Sequence, residues 1–382
     1  DDYQFSELIC SVSLIFIMFY GGFNTKWQSA KCVAVRATIL STLGVLVTAG
    51  LTGVFCYFVL HFSYVESFLI GAVLSSTDAA SVFSILRGKH LNLRDGTASL
   101  LEIESGSNDP MSYLLTMIGI SLLGNADTGN IPLMIFMQLA LGILVGVVVA
   151  LIGIVLLTKT NFIPEGLETI FVIAIVIFSF GLAELIGGNS YLSVYLLGIL
   201  LGNSRIRNKN ILIPFFDGVT GLAQILIFFL LGLLAFPHRM PDIMVPALLI
   251  ALFLTFVARP IAVFGILLPF RCSIRQCLLV SWAGLRGAAS IVFAIMVIAG
   301  GGDISLDLFH IVFMVALLSV AFQGTLIPKV AEKLNMVDNS ADVSKTFNDY
   351  QEESAMTLMR MYIPKGHNWE NHKICEVSIP TG

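Results

Sequence analysis

The sequence predicts an all-α polytopic membrane protein, on three observations. Hydrophobic residues make up 57% of the chain and charged residues only 12%, with 28 phenylalanines and a mean hydropathy of +0.90, a balance no water-soluble domain needs. Apolar runs long enough to cross roughly 30 Å of hydrocarbon recur along the chain. The connections between them alternate between rich in Lys and Arg and nearly free of them.

The runs fall near 6–22, 37–60, 67–86, 98–123, 131–157, 168–186, 189–203, 218–236, 243–269, 276–299 and 307–328, which makes about eleven helices. Eight read as plain spans. The run 189–203 is short enough for a half-helix or a tilted neighbour. Two runs, 67–86 and 276–299, are interrupted by small and polar residues. Lys26, Lys31, Arg36, Arg87, Lys89, Arg94, Lys159, Arg205, Arg207, Lys209, Arg271, Arg275, Lys329 and Lys333 all fall at alternate connections, whereas the other set holds only Arg239. Basic loops stay on the cytoplasmic side, so Asp1 is expected outside and the C-terminus in the cytoplasm. The chain starts with Asp1 and Asp2 and has no signal-peptide pattern, so it reads as a fragment whose start is missing. Its six cysteines show no CxxC spacing and read as reduced structural thiols, with no disulfide framework and no metal site.

Charges inside the spans carry the functional information. Asp78, Glu102, Glu104, Asp109, Glu184, Arg259 and Arg286 lie within or at the ends of apolar runs, where each costs about 2.5–3.5 kcal/mol on insertion scales. One such group alone can be an internal ion pair that fixes packing. Five acids against two arginines leave negative charge over, which favours a path for cations or protons.

The interrupted runs are related to each other. AVLSSTDAASVFSIL at 72–86 and SWAGLRGAASIVFAI at 281–295 both break at small and polar residues, continue with AAS and become apolar again. Their loop charges give them opposite directions, the pattern of an inverted repeat whose broken helices cross near the midplane. A break exposes backbone groups that lipid cannot satisfy, and half-helix ends carry partial charges. Asp78 and Arg286 are placed to balance those ends. The bland reading, small residues permitting close helix packing, leaves both charges unexplained.

LEIESGSNDP, residues 101–110, follows the first break. Glu104 and Asn108 are four apart, as are Ser105 and Asp109, so both pairs lie on adjoining parts of one helical face. Pro110 cannot donate to the Gly106 carbonyl, which adds a free oxygen at that depth. Carboxylate, hydroxyl and carbonyl oxygens suit a hard monovalent cation. Zinc or copper would want His or Cys, and the six histidines form no cluster.

STDAASVFSIL, LEIESGSNDPM, YLLGILLGN at 195–203, VARP at 257–260 and SWAGLRGAASIV at 281–292 together resemble the NhaP-type monovalent cation/proton antiporters. The likeness is greatest to the potassium/proton antiporter branch, also called cell volume regulation protein A, and it covers residues 1 to about 330. It implies an inverted-repeat antiporter fold with thirteen helices in the complete protein, two of them before Asp1, and a homodimer joined through the first helices. It also implies that Asp109 binds the ion or the proton, that Asp78 and Thr77 line the same site, that Ser105 is a ligand and that Asn108 is the amide beside the carrier. Glu104 resembles a glutamate that forms a structural ion pair with the arginine of the second break, here Arg286. Arg259 takes only a packing or helix-end role. One departure concerns Tyr20, in MFYGGFNTKW, where relatives often carry an acid before the Gly-Gly pair.

The expected activity is electroneutral one-for-one exchange of potassium, or sodium, for protons in the cell inner (plasma) membrane. Burial favours neutral, protonated Asp109, and a nearby cation favours its charged form, so one carboxylate serves both. No cofactor and no nucleic acid is expected. A cation channel could use the same acids, but would not need two broken helices and one titrating carrier. An enzyme is not expected: GGGD at 300–303 fits a GxGD protease pattern, yet it has no Tyr-Asp partner on another helix. Residues 331–366 read as a cytoplasmic linker and 367–382 as the truncated start of a regulatory domain of the potassium-uptake type, with a possible small-molecule ligand. A plain linker tail is the alternative, and His367, His372 and Cys375 are read as surface.

Overall fold

The protein is described by a computed structural model over residues 3–25, 27, 31–89, 91–123, 131–159, 164, 166–206, 208–300 and 306–338. Thirteen helical elements follow one another among the described residues: α1 (Tyr3–Asn24), α2 (Ala34–Val59), α3 (Tyr64–Val73), α4 (Ala79–Gly88), α5 (Thr97–Leu123), α6 (Ile131–Lys159) and α7 (Glu168–Leu185) come first. They continue with α8 (Ser190–Gly202), α9 (Lys209–Leu234), α10 (Pro237–Leu267), α11 (Ile274–Trp282), α12 (Ala288–Ala299) and α13 (Leu308–Lys333). Each of the eleven apolar runs has its counterpart, nine as single helices and two as the broken pairs α3/α4 and α11/α12. The fold is thus an all-α membrane architecture.

One boundary differs markedly from the apolar runs, for a physical reason. Helix α9 begins at Lys209, nine residues before the run at 218, because its first turns are amphipathic. Leu212, Ile213 and Phe216 are buried, while the Lys209 ammonium donates to the Gly202 carbonyl at the end of α8. Helix α8 has thirteen residues, about 20 Å at 1.5 Å per residue, so it cannot cross the hydrocarbon. It starts at depth: its cap Asn189 is fully buried, accepts from Leu192 N–H at 3.0 Å and donates to the Pro110 carbonyl of α5 at 2.8 Å.

The helices form two groups. In the first, α8 is packed between α1 and α6, with α7 and α9 alongside. Gly198 and Gly202 lie on one face of α8, and a Cβ at either would collide with the main chain of α1 at Phe19 and Phe23. The second group joins α2 and α3 to α5, and α10 and α12 to α13, with α2 against α10. Three of its helices contain π-helical turns, Leu40–Gly44, Leu254–Ala258 and Ser319–Gly324, which the apolar pattern does not announce.

The expected linker from 331 begins inside α13, which runs on to Lys333. The next residues fold back on the α4–α5 connection: Arg94 N–H donates to Met336, and Asp338 N–H to Asn92, both at 2.9 Å. The tail from 339, with the expected regulatory segment 367–382 and His367, His372 and Cys375, lies outside the described residues. So does Asp303 of the GGGD stretch.

The α1–α8 contact gives a first prediction. Gly202→Leu forces a branched side chain into main chain and is expected to cost about 1–3 kcal/mol or more. A thermal-unfolding scan in detergent should show the lowered midpoint, whereas Gly218→Leu, at a glycine with open space around it, should leave the midpoint unchanged.

Candidate ion site

The chain leaves helical geometry between α3 and α4, at 74–78, and between α11 and α12, at 283–287. The two breaks touch: Asp78 N–H donates to the Leu285 carbonyl at 2.9 Å. Arg286 Nη1 donates to the carbonyls of Ser75, at 3.1 Å, and Ser76, at 2.7 Å, where the negative end of the α3 half-helix dipole lies. At the positive end of α4, Asp78 accepts from Ser81 N–H at 3.2 Å and from Ser81 Oγ at 2.6 Å. Gly287 makes the crossing possible, since a Cβ there would occupy the space of the Asp78 carboxylate. From the other side, Ser319 in the π-helical turn of α13 accepts from Arg286 N–H at 3.1 Å and donates to Gln323 Oε1 at 2.6 Å. Asp78 and Arg286 therefore do balance the half-helix ends.

Helix α5 runs past the crossing with its polar face toward it. The Asp109 carboxylate accepts from the hydroxyl of Ser76 in the first break. Ser105 Oγ donates to the Thr77 carbonyl at 2.5 Å. Asn108 Nδ2 donates to Thr77 Oγ1 at 2.6 Å and to Glu104 Oε1 at 3.3 Å, while its Oδ1 is buried with no hydrogen-bond partner among the described residues. Asp109 keeps 8% of its surface exposed and Thr77 3%, against none for Asn108. That remnant faces a cleft of about 850 Å³ between the two helix groups, lined by Thr77, Asp78, Ser105 and Asp109 on one side and by α1 and α9 on the other. Four of the five expected ion-binding residues thus share one wall, and Asn108 sits behind it. Tyr20, at the position where relatives often carry an acid, lines the same cleft. Glu102 lines it as well, about two turns before Asp109 on α5. Glu184 is exposed at the end of α7.

The expected ion pair between Glu104 and Arg286 is not the one formed. Glu104 pairs with Arg259, Nη1 to Oε1 and Nη2 to Oε2 both at 2.9 Å, a two-pronged bond between residues 1% and 2% exposed. The reason is the geometry of the breaks. Arg286 is claimed by carbonyls left open at the end of α3, so the arginine that reaches α5 comes from α10, just after its π-helical turn. Arg259 therefore has a larger part than packing or a helix end. Its signal in the sequence was a lone cation inside an apolar run, which demanded a buried anion without naming one. Ser76 escaped the sequence reading entirely. It stands beside Thr77 in SSTD, and nothing in the spacing says that its hydroxyl, of the several there, meets Asp109.

Residues 2–333 match the sequence model of the family described as "Sodium/hydrogen exchanger, transmembrane". The chain is 38% identical over 332 residues to the K(+)/H(+) antiporter NhaP2 of Shewanella sp. (strain MR-4), a match covering 85% of this chain and 57% of that protein. It is 36% identical over 336 residues to the K(+)/H(+) antiporter NhaP of Alkalimonas amylolytica, covering 87% and 58%. The chain spans little more than half the length of these relatives. Its fold is similar to that of the sodium proton antiporter MjNhaP1 from Methanocaldococcus jannaschii at pH 8, with a TM-score of 0.77, 24% identity, and coverage of 87% of this chain and 86% of that one.

The ion pair yields a prediction that separates the two arginines. Arg259→Leu leaves Glu104 buried and without its partner, which is expected to cost about 3–5 kcal/mol, and Glu104→Leu with Arg259→Leu should recover much of it. Unfolding midpoints of the single and double variants test this, because full destabilisation in the double variant would mean that the two side chains act independently.

Proposed function

The chain belongs to the sodium/hydrogen exchanger transmembrane family, and from that premise we propose that it is a secondary active antiporter exchanging a monovalent cation for protons, with Asp109 as the carrier. One observation carries this reading: the Asp109 carboxylate on the α5 wall, almost out of water, sits where two helix breaks bring hydroxyl and carbonyl oxygens together at the floor of a cleft. A cation on Asp109 would find oxygen from Asp78, Thr77 and Ser105 around it, the ligands a hard ion takes. A proton on Asp109 would neutralise the carboxylate and release the ion. The two states exclude each other on one group.

Potassium is favoured over sodium, because the two relatives at 36–38% identity carry potassium/proton names. Asn108 beside the carrier is neutral whether the ion or the proton is bound. One charge is therefore exchanged for one, and transport is electroneutral. The cleft is lined by Asn24 of α1 and Glu102 of α5, on the side of the basic connections, so it opens toward the cytoplasm. Alternating access follows if α2–α5 and α10–α13 rock against α1 and α6–α9. Plasma-membrane location, a homodimer joined through the first helices, and a cytoplasmic regulatory region beyond α13 complete the proposal.

The test is reconstitution of the complete protein in vesicles holding a pH-sensitive dye, with potassium, sodium and lithium compared at two pH values. Asp109→Asn should reduce exchange to the rate of empty vesicles, and normal exchange would refute the assignment. An imposed membrane potential should leave the wild-type rate unchanged. Acceleration by the potential would contradict one-for-one exchange.

A further inference from the structure

Resting on Asp109 as the carrier, we propose that Ser76 is a direct ligand of the transported cation and the residue that sets the balance between ion and proton on Asp109. The Ser76 hydroxyl donates to Asp109 Oδ1, and Ser76 is 2% exposed in the non-helical stretch between α3 and α4. Its position does not depend on that bond. The carbonyl of the same residue is held by Arg286 Nη1 at 2.7 Å, and the preceding Ser75 by the same nitrogen at 3.1 Å. The neighbouring hydroxyls are turned elsewhere. Thr77 Oγ1 accepts from Asn108 and lies 3.4 Å from Glu104 Oε2, and Ser105 Oγ is directed at the Thr77 carbonyl.

A hydroxyl has one donor and two acceptor lone pairs, and it rotates freely. When Asp109 is charged and holds no ion, Ser76 donates to it through the contact its hydroxyl makes with Oδ1. When Asp109 is protonated, the carboxylic O–H donates to a Ser76 lone pair, and the hydroxyl hydrogen turns away. When a cation sits on Oδ1, the same rotation presents a lone pair to the ion, because Oγ is already one hydrogen bond from that oxygen. Ser76 thus completes each of the three states without moving its backbone. With a phenol at position 20 in the same cleft, it adds an oxygen without adding charge. Arg286 then acts on the carrier through the Ser76 carbonyl, as a positioning residue.

The experiment measures exchange in vesicles by the complete protein carrying Ser76→Ala, Ser76→Thr, Ser112→Ala or Asp109→Asn, with potassium and pH varied. Ser112 is a control: its hydroxyl donates to the Ala72 carbonyl at 2.6 Å and touches no part of the site. Loss of a hydrogen bond to a charged group corresponds to roughly tenfold in binding, so Ser76→Ala should raise the half-saturating potassium concentration about tenfold and move the pH of half-maximal exchange by about one unit toward alkaline. Ser76→Thr, which keeps the hydroxyl, should restore both, and Ser112→Ala should alter neither. If Ser76→Ala abolishes exchange altogether, the threonine variant decides: a wild-type pH profile supports the inference and a displaced one overturns it. An unchanged profile and half-saturation in Ser76→Ala, with Asp109→Asn inactive, would overturn the role of Ser76 and leave the carrier standing. Exchange by Asp109→Asn would overturn both.

Discussion

A helix that breaks inside a bilayer leaves carbonyl and N–H groups that lipid cannot satisfy, each costing several kcal/mol, and the architecture of this protein is organised around meeting that cost twice in one place. The breaks cross and bond to each other through Asp78 N–H and the Leu285 carbonyl. Arg286 takes the open carbonyls of α3, and Asp78 caps α4. A negative and a positive side chain thus compensate the partial charges of two half-helices. Everything chemical in the site is built on these fixed backbone positions: the Thr77 carbonyl accepts from Ser105, and the Ser76 hydroxyl donates to Asp109.

The charges fall into two layers with different duties. Glu104 and Arg259 neutralise each other in a two-pronged bond and are sealed from the cleft. Such a pair gives little net stability when intact, but neither partner can be removed alone, so it fixes α10 against α5. Asn108 separates this pair from Asp109, donating toward both Thr77 and Glu104. The result is that Asp78 and Asp109 line the cleft while the charges of the layer behind them cancel. A cation entering the cleft meets carboxylates and hydroxyls, and both arginines are already bound to other groups.

How much of this was legible in the sequence depends on the kind of signal. Hydrophobic run length and the alternation of basic loops are one-dimensional, and they mark every span and both breaks. The repeat between 72–86 and 281–295 is also visible, because two stretches of one chain can be compared letter by letter. Spacing along α5 places Ser105 and Asp109 on one wall, since that geometry is local to a helix. What could not be read is which helix stands opposite. Glu104 had two buried arginines to choose from, and the decision lies in the open carbonyls that occupy Arg286. Ser76 was hidden for the same reason: the conformation of a non-helical stretch is set by its partners across the break. The half-length of α8 was legible, but not that Asn189 would cap it in the interior against Pro110.

The distribution of bonds also says where the molecule can yield. Within the first group, α8 lies against the main chains of α1 and α6 through paired glycines, contacts that leave no room for sliding. Between the groups, α5 meets α8 through two side-chain hydrogen bonds, Ser107 Oγ to Tyr195 Oη at 3.2 Å and Asn189 Nδ2 to the Pro110 carbonyl at 2.8 Å. These flank Asp109 along α5 and are worth about 0.5–1.5 kcal/mol each in net terms. Gly106 lets the Tyr195 ring come close without a side chain in its way, so α5 is smooth where the other group touches it. A rocking motion that carried Asp109 from one side of the membrane to the other would break these two bonds and leave the crossing of the breaks intact. Asp78, Arg286, Ser76 and Asp109 would travel as one body, and the site would keep its geometry while its exposure changed.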